Sequence, residues 1–350
     1  MKIDSRFYAL IAASLFGISA PLSKLLLGNI PPLQMAGLLY LGSGAVLLFV
    51  KFLRKVLKKE QTEASLQKTD FLWLFGAVIS GGVLAPIALM YGLSETPAAT
   101  ASILLNFEAV ATTFLAVLLF REHISRQVVV ALVSLTFASL ILALDTSGKL
   151  GFSLGALFVI LACVLWGIDN NLTRNISSKD PTIIVIVKGL GAGSFSFVLS
   201  LLTGSHTPAL SHAIYALTVG GICYGASLLL FILAMRGLGS ARASTLFASA
   251  PFIGALASFL IFKDAPTIQF LISIPFILIG TFFLFKETHF HSHEHNNIEH
   301  DHSHSHSDEH HNHVHAYQEA ANENHSHLHQ HSSIIHFHNH MPDVHHRHEH

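Results

Sequence analysis

Ten apolar runs fill most of this chain: residues 6–27, 33–53, 71–92, 98–120, 126–145, 153–174, 182–203, 212–235, 240–262 and 267–286. Each is near the ~20 residues that a helix needs to cross a bilayer. Their hydrophobic positions are continuous rather than alternating, which excludes half-buried strands, and in lipid only helices or closed barrels satisfy their own backbone groups. The Gly and Pro residues scattered inside them are tolerated in transmembrane helices. Beyond Lys286 the apolar pattern stops, and residues 288–350 set histidine among Ser, Asn, Asp and Glu. Met1–Ala20 has the layout of a secretory signal, with Lys2 and Arg6 ahead of the first run. Pro21 would follow the cut, however, and a second run begins at Leu33, so the first run is read as a retained helix.

The pattern therefore predicts an all-α membrane protein of ten transmembrane helices with a polar tail. Composition agrees: apolar residues make up 51% and charged ones 12%, at a mean hydropathy of +0.53. A soluble domain carries about 25% charged residues. The near balance of 20 basic and 21 acidic residues conceals a segregation, because ten of the acids lie from Glu287 onward. Cytoplasmic loops should be enriched in Lys and Arg. With the N-terminus inside, that face holds Lys2, Arg6, Lys51, Arg54, Lys55, Lys58, Lys59, Lys68, Arg121, Arg126, Arg174, Lys179, Arg236, Arg242 and Lys286, against Lys24, Lys149 and Lys263 outside. Both termini are thus expected in the cytoplasm, with the chain integral to the cytoplasmic membrane. Cys163 and Cys223 sit mid-run and read as small core residues rather than a redox pair.

The chain repeats itself. Sliding it by 142 positions lays Ser102 on Ser244, Ala109 on Pro251, Arg121 on Lys263 and Glu122 on Asp264. Phe16-Gly17-Ile18 in the first segment matches Trp166-Gly167-Ile168 in the sixth, and Gly92-Leu93 in the third matches Gly237-Leu238 in the eighth. Two halves of five helices each, an odd number, enter the membrane in opposite senses. The expected organisation is a first five-helix repeat over 1–147, an inverted second repeat over 148–287, and a tail over 288–350. Inverted repeats are characteristic of secondary transporters, with the substrate site near the midplane.

This layout resembles the EamA-type transporters of the drug/metabolite transporter superfamily over roughly residues 6–286. The likeness rests on a small-residue fourth helix in each half, Ala101-Ser102 leading to Glu108-Ala109 and Ala243-Ser244 leading to Ala250-Pro251, each ending in a basic–acidic pair, Arg121-Glu122 and Lys263-Asp264. The family's fourth helix usually has Glu-Pro in the middle; the first half here keeps the Glu and the second keeps the Pro. The resemblance implies transport of small solutes such as amino acids or other metabolites, often outward, and leaves the substrate open.

An ionisable or polar group at membrane depth is a functional candidate by default. Glu108 lies about eight residues into the fourth segment, with Ser102, Asn106, Ala109 and Thr113 as a small and polar stripe that would line a cavity or let helices approach closely. The sixth segment holds Trp166, Asp169, Asn170 and Asn171. Asp169 reads either as interior, where it would bind an amine or carry a coupling proton, or as an end-of-helix polar residue. Trp166 would stack on a substrate or sit in the interfacial belt. Tyr91 and Tyr224 are further candidates. Lys188 in the seventh segment would pair with an acidic group or snorkel to the headgroups, with snorkelling the leading expectation. No P-loop, H-E-x-x-H or G-x-S-x-G spacing occurs, so ATP-driven transport and hydrolysis are not supported, the expectation is no enzyme, and no feature calls for nucleic acid.

The tail holds 23 of the 26 histidines, among them His291, His293, His295, His302, His304, His306, His310, His311, His313, His315, His325, His327 and His329. So polar a tract cannot bury enough surface to fold alone and is expected to be disordered without metal. Neutral imidazole suits Zn²⁺, Ni²⁺, Co²⁺ and Cu²⁺, so these ions are the expected tail ligands, with no cofactor required by the bundle. The leading reading is a secondary transporter of a small metabolite. Divalent-metal export or import is the alternative, and a metal-responsive membrane sensor or scaffold is the third.

Overall fold

A computed structural model describes residues 5–57, 64–120, 126–144, 152–176, 179–238 and 246–285, and in the tail 290–294, 298–304, 325–331 and 335–339. Its helices are α1 (Ser5–Leu27), α2 (Pro32–Val56), α3 (Asp70–Glu95), α4 (Ala98–Leu104), α5 (Phe107–Phe120), α6 (Arg126–Ala143), α7 (Leu154–Arg174) and α8 (Pro181–Leu202). Leu210–Val219, Gly220–Ala226 and Ser227–Leu238 run on without a break as α9, followed by α10 (Ala250–Phe262) and α11 (Ile268–Phe285). Among the described residues eight helical spans are long and apolar enough to cross a membrane, α4 and α5 together counting as one, and Ala250–Phe262 and Ile268–Phe283 are shorter apolar helices. The protein is a multi-pass membrane protein, all-α in its bundle.

Local chemistry starts and stops these helices. Pro31 and Pro32 open α2, and the Asp180 carboxylate caps α8 by accepting from the amides of Thr182 at 2.8 Å and Ile183 at 3.4 Å. Lys263, at φ 56°, closes α10 in the left-handed conformation. Large side chains such as Phe49, Phe52, Leu72, Phe75, Phe114 and Leu202 point outward and are exposed, while the interior mixes many Ala, Gly and Ser residues with buried Leu39, Leu89, Met90 and Leu104. Exposed large apolar side chains suit lipid, and the small buried residues let helices approach closely.

Two irregularities recur at matched positions. In α3 the stretch Val78–Leu84 winds as a π-helix, and in α9 so does Gly220–Ala226, 142 residues later. The fourth apolar segment breaks at Leu105-Asn106 between α4 and α5, and the ninth turns at Ala248-Ser249 just before α10. Packing partners are exchanged in the same way. Helix α3 lies on α7 and α9 on α1; α5 lies on α7 and α10 on α1; α2 pairs with α8 and α6 with α11. Each π stretch packs against the first two helices of the other half, Val78–Leu84 on α7 and α8, Gly220–Ala226 on α1 and α2. Crossings are close enough to require glycine: a Cβ on Gly220 would meet the Leu39 carbonyl at 2.0 Å.

The tail departs from expectation. Its described residues form strands β1 (Phe290–Glu294), β2 (Ile298–His304), β3 (His325–His331) and β4 (Ile335–Asn339), with β1 antiparallel to β4 and β2 antiparallel to β3. A ladder satisfies backbone groups without an apolar core, and the alternation of His with other residues has the period of a strand.

Candidate functional site

The break in the fourth segment sets the position of Glu108. Asn106 is buried in the break, its amide donating to the Ile103 carbonyl at 3.0 Å. Helix α5 restarts at Phe107, which puts Glu108 in its first turn, where the helix dipole favours negative charge. Asn170 of α7 donates from Nδ2 to Glu108 Oε1 at 2.9 Å and to Thr112 Oγ1 at 3.2 Å. Asn171 braces the same crossing, donating to the carbonyls of Thr112 at 3.1 Å and Gly167 at 2.8 Å. The polar stripe foreseen along the fourth segment is interrupted by the break. Ser102 turns back on the Ala98 carbonyl, and Thr112 rather than Thr113 meets Asn170.

The residue before Asn170 in α7, Asp169, is interior. Its carboxylate accepts from Lys188 Nζ of α8 at 2.7 and 2.6 Å and from Thr173 Oγ1 at 2.9 Å, with both charged side chains buried. This corrects the snorkelling assigned to Lys188. The ammonium is about one-third of the way along α8 and has a carboxylate within reach, so pairing wins over extension to the headgroups. Gly81 makes room for the pair, since a Cβ there would meet Asp169 Oδ2 at 1.9 Å.

Gly81 is also an acceptor. Its carbonyl takes Tyr40 Oη at 2.6 Å and Trp166 Nε1 at 3.1 Å. The cause lies five residues on. In the π-helical register of Val78–Leu84 the amide of Ala85 reaches the Ser80 carbonyl, so the next donor, for Gly81, would be residue 86, which is proline and has no N–H. Two side chains from other helices fill the vacancy. In the second half, Leu228 stands at the position of Pro86 and has an N–H.

The rings so fixed belong to an aromatic group in the centre of the bundle. Phe16 lies 6.2 Å from Trp166, 5.7 Å from Tyr224 and 5.5 Å from Phe247, and Tyr40 lies 5.8 Å from Tyr224. The Tyr224 hydroxyl, with Ser19 as its polar neighbour, is buried without a completed hydrogen bond. Tyr91 is not part of this group: it is exposed, with its ring on Phe158 at 5.9 Å. Cys163 and Cys223 are free and buried.

The two ends of the bundle differ. At the end carrying connections 28–31, 96–97 and 263–267, Lys24 donates to the carbonyls of Leu93 and Ser94, the latter at 3.0 Å. A cavity of only about 20 Å³ remains there between Pro97, Thr100, Ser258 and Asp264. At the opposite end Lys51 pairs with Asp180 at 3.6 Å, yet Asn170, a turn from the end of α7, is exposed and Glu108 is half-buried.

Asn106, Glu108, Trp166, Asp169, Asn170, Asn171 and Tyr224 thus share one region, and Tyr91 lies apart. Sequence reasoning missed Tyr40, Phe16, Thr112 and the Gly81 carbonyl; the readable signal was Pro86 five residues after Gly81. In the tail the register sets His291 opposite His338, His293 opposite His336, His300 opposite His329, His302 opposite His327 and His304 opposite His325. His295, His306, His310, His311, His313 and His315 lie outside the described residues. Among the described residues no group of three His, Cys, Asp or Glu side chains is placed to hold a metal.

The EamA-like transporter family model matches residues 5–144 and again 153–286. A relative from Methanothermobacter thermautotrophicus, named an uncharacterized transporter, is 28% identical over 295 residues, spanning 80% of this chain and 85% of its own. A solved crystal structure, 20% identical, superposes with a TM-score of 0.59 over 80% of this chain and 94% of its own, a likeness of fold.

Proposed function

The chain belongs to the EamA-like transporter family, and from that premise we propose that it is a secondary transporter that moves a small metabolite across the cytoplasmic membrane by alternating access. The observation that carries this reading is a polar centre shared between the halves: Glu108 of the first is held by Asn170 of the second, and the Lys188–Asp169 pair of the second sits on Gly81 of the first. A bundle that only scaffolds has no need of charged groups at such depth. The exchanged packing partners and the matched π stretches support ten spans arranged as inverted five-helix repeats, 1–147 and 148–287. In the expected orientation the exposed Asn170 lies toward the cytoplasmic end of α7.

The test needs no guess of substrate. Vesicles carrying the purified full chain and filled with cell extract should lose or gain specific solutes relative to protein-free vesicles, as measured by mass spectrometry, and Lys188→Met should abolish the difference. Unchanged contents would sink the transport reading in favour of a sensor or scaffold. The tail adds a second, separable element. Cross-strand histidines opposite one another favour Zn²⁺, Ni²⁺, Co²⁺ or Cu²⁺ binding by the tail, with metal as regulator or buffer rather than cargo.

A further inference from the structure

The two ladders of the tail share one register. Phe290 faces Asn339 in the β1–β4 ladder, and eight residues further along each strand Ile298 faces His331 in the β2–β3 ladder. The same step runs on to His304 facing His325, so both ladders fit a single hairpin whose arms begin at Phe290 and at His325, joined by residues 305–324. Histidine recurs in these strands at every second position, and successive residues of a strand alternate between faces. In the β1–β4 ladder His291 and His293 share a face and stand opposite His338 and His336. In the β2–β3 ladder His302 and His304 share a face and stand opposite His327 and His325. Each set is two neighbouring rungs on one face, a spacing of about 5 Å between Cβ atoms across the strands and about 7 Å along them. His300 opposite His329 makes one further rung, a pair and so a weaker site.

Backbone pairing alone is a weak reason for so regular a ladder. A lone two-stranded hairpin is marginal in water, and closing the connection over 305–324 adds a loop-entropy cost. The face of the β2–β3 ladder without histidine carries Glu299, Asp301, Ser303, Ser326, Leu328 and Gln330, too polar a set to form a core. Four imidazole nitrogens suit tetrahedral Zn²⁺, and an ion held between strands stabilises only the paired form. Among the described residues no three such side chains are converged, so convergence belongs to the ion-bound form, as where binding and folding are coupled. Resting on the reading of the tail as a metal-binding segment, we infer that Zn²⁺ staples the two arms of the tail together through one four-histidine site in each ladder. The metal then acts by folding the tail, which independent histidines along a loose chain would not do.

Zinc is titrated into the purified full chain against a competing chelator, and two ions should bind tightly. His302→Asn, His304→Asn, His325→Asn and His327→Asn together should leave only one of them. His345→Asn, His346→Asn, His348→Asn and His350→Asn together, an equal loss of histidine outside the strands, should leave both. Cutting the chain after Asn324 removes β3 and β4 but keeps 12 of the 23 tail histidines, and it should lower zinc affinity at least tenfold with no tight ion left. A second measurement places spin labels on Ser303→Cys and Ser326→Cys, which face one another, with Cys163 and Cys223 replaced by alanine; Zn²⁺ should narrow their separation to a single short distance. Equal losses in the two four-histidine variants overturn the inference and leave metal binding by the tail standing. So do a chain cut after Asn324 that keeps about half of the tight zinc, and a label separation that Zn²⁺ does not change. No zinc bound by the full chain overturns both, and the extract-exchange experiment still decides transport by itself.

Discussion

At the scale of residues, Glu108, Asp169 and the Gly81 carbonyl at the centre of this protein each take a partner from another helix. The Lys188–Asp169 pair follows the rule that a buried ion pair is strained more by losing one member than by losing both. Lys188→Met alone should lower the melting point of the purified protein by the equivalent of ~3 kcal/mol or more, because it strands the Asp169 carboxylate. Lys188→Met combined with Asp169→Leu should recover most of that melting point without recovering solute movement, a split that a purely structural pair would not produce. The Gly81 carbonyl offers a second test. Tyr40→Phe or Trp166→Phe removes one of its two donors and should cost about 1 kcal/mol, whereas the double variant orphans the carbonyl and should cost more than the sum, measured as a coupling energy in a double-mutant cycle. The identities of Glu108, Asp169 and Trp166 as candidates were legible in the sequence because ionisable and amphipathic residues stand out in apolar runs. Which groups pair was not, since Asn170 stands 62 positions from Glu108 and Trp166 stands 85 from the Gly81 carbonyl it meets, and only the fold brings them near.

At the scale of elements, helices α3, α9 and the fourth segment are informative where they are irregular. The π stretch Val78–Leu84 aims the Gly81 carbonyl at two side chains because Pro86 cannot donate to it. Pro86→Ala supplies a backbone donor, so the penalty for Tyr40→Phe should shrink in that background, read as melting temperature. Close helix crossings make a matched pair of glycine variants useful. Gly220→Ala would push a methyl to 2.0 Å from the Leu39 carbonyl and should separate α2 from α9 at a cost of ~1–3 kcal/mol or more. Gly191→Ala in α8 meets nothing within 4 Å and should be neutral or stabilising by up to ~1 kcal/mol. Glycine and proline positions are visible in any sequence. Which of them sit at a crossing, and which merely face lipid, is a property of the packed bundle.

At the scale of the whole molecule, bundle and tail are separate questions. Cutting the chain after Thr288 should leave solute exchange in vesicles intact while removing most Zn²⁺ bound by the purified protein at neutral pH. In the full chain that binding should weaken as pH falls through about 6.5, where free imidazoles take up protons; retention of metal by the shortened chain would place the ligands in the bundle instead. A reporter fused at His350 should read as cytoplasmic. The sequence by itself determined the class of molecule, the helical segments, the polar tail and the internal likeness at 142 residues, because lipid imposes long apolar helices and a repeat is written into the residues themselves. It could not decide the depth of Asp169, the fate of Lys188, the break ahead of Glu108 or the company of Tyr224. Those depend on which helices cross and how closely, and that is set by contacts between residues far apart in the chain, as where Ser227 of α9 donates to the Ala12 carbonyl of α1 across 215 positions. Tertiary packing alone joined Asp169 to Lys188 and Glu108 to Asn170.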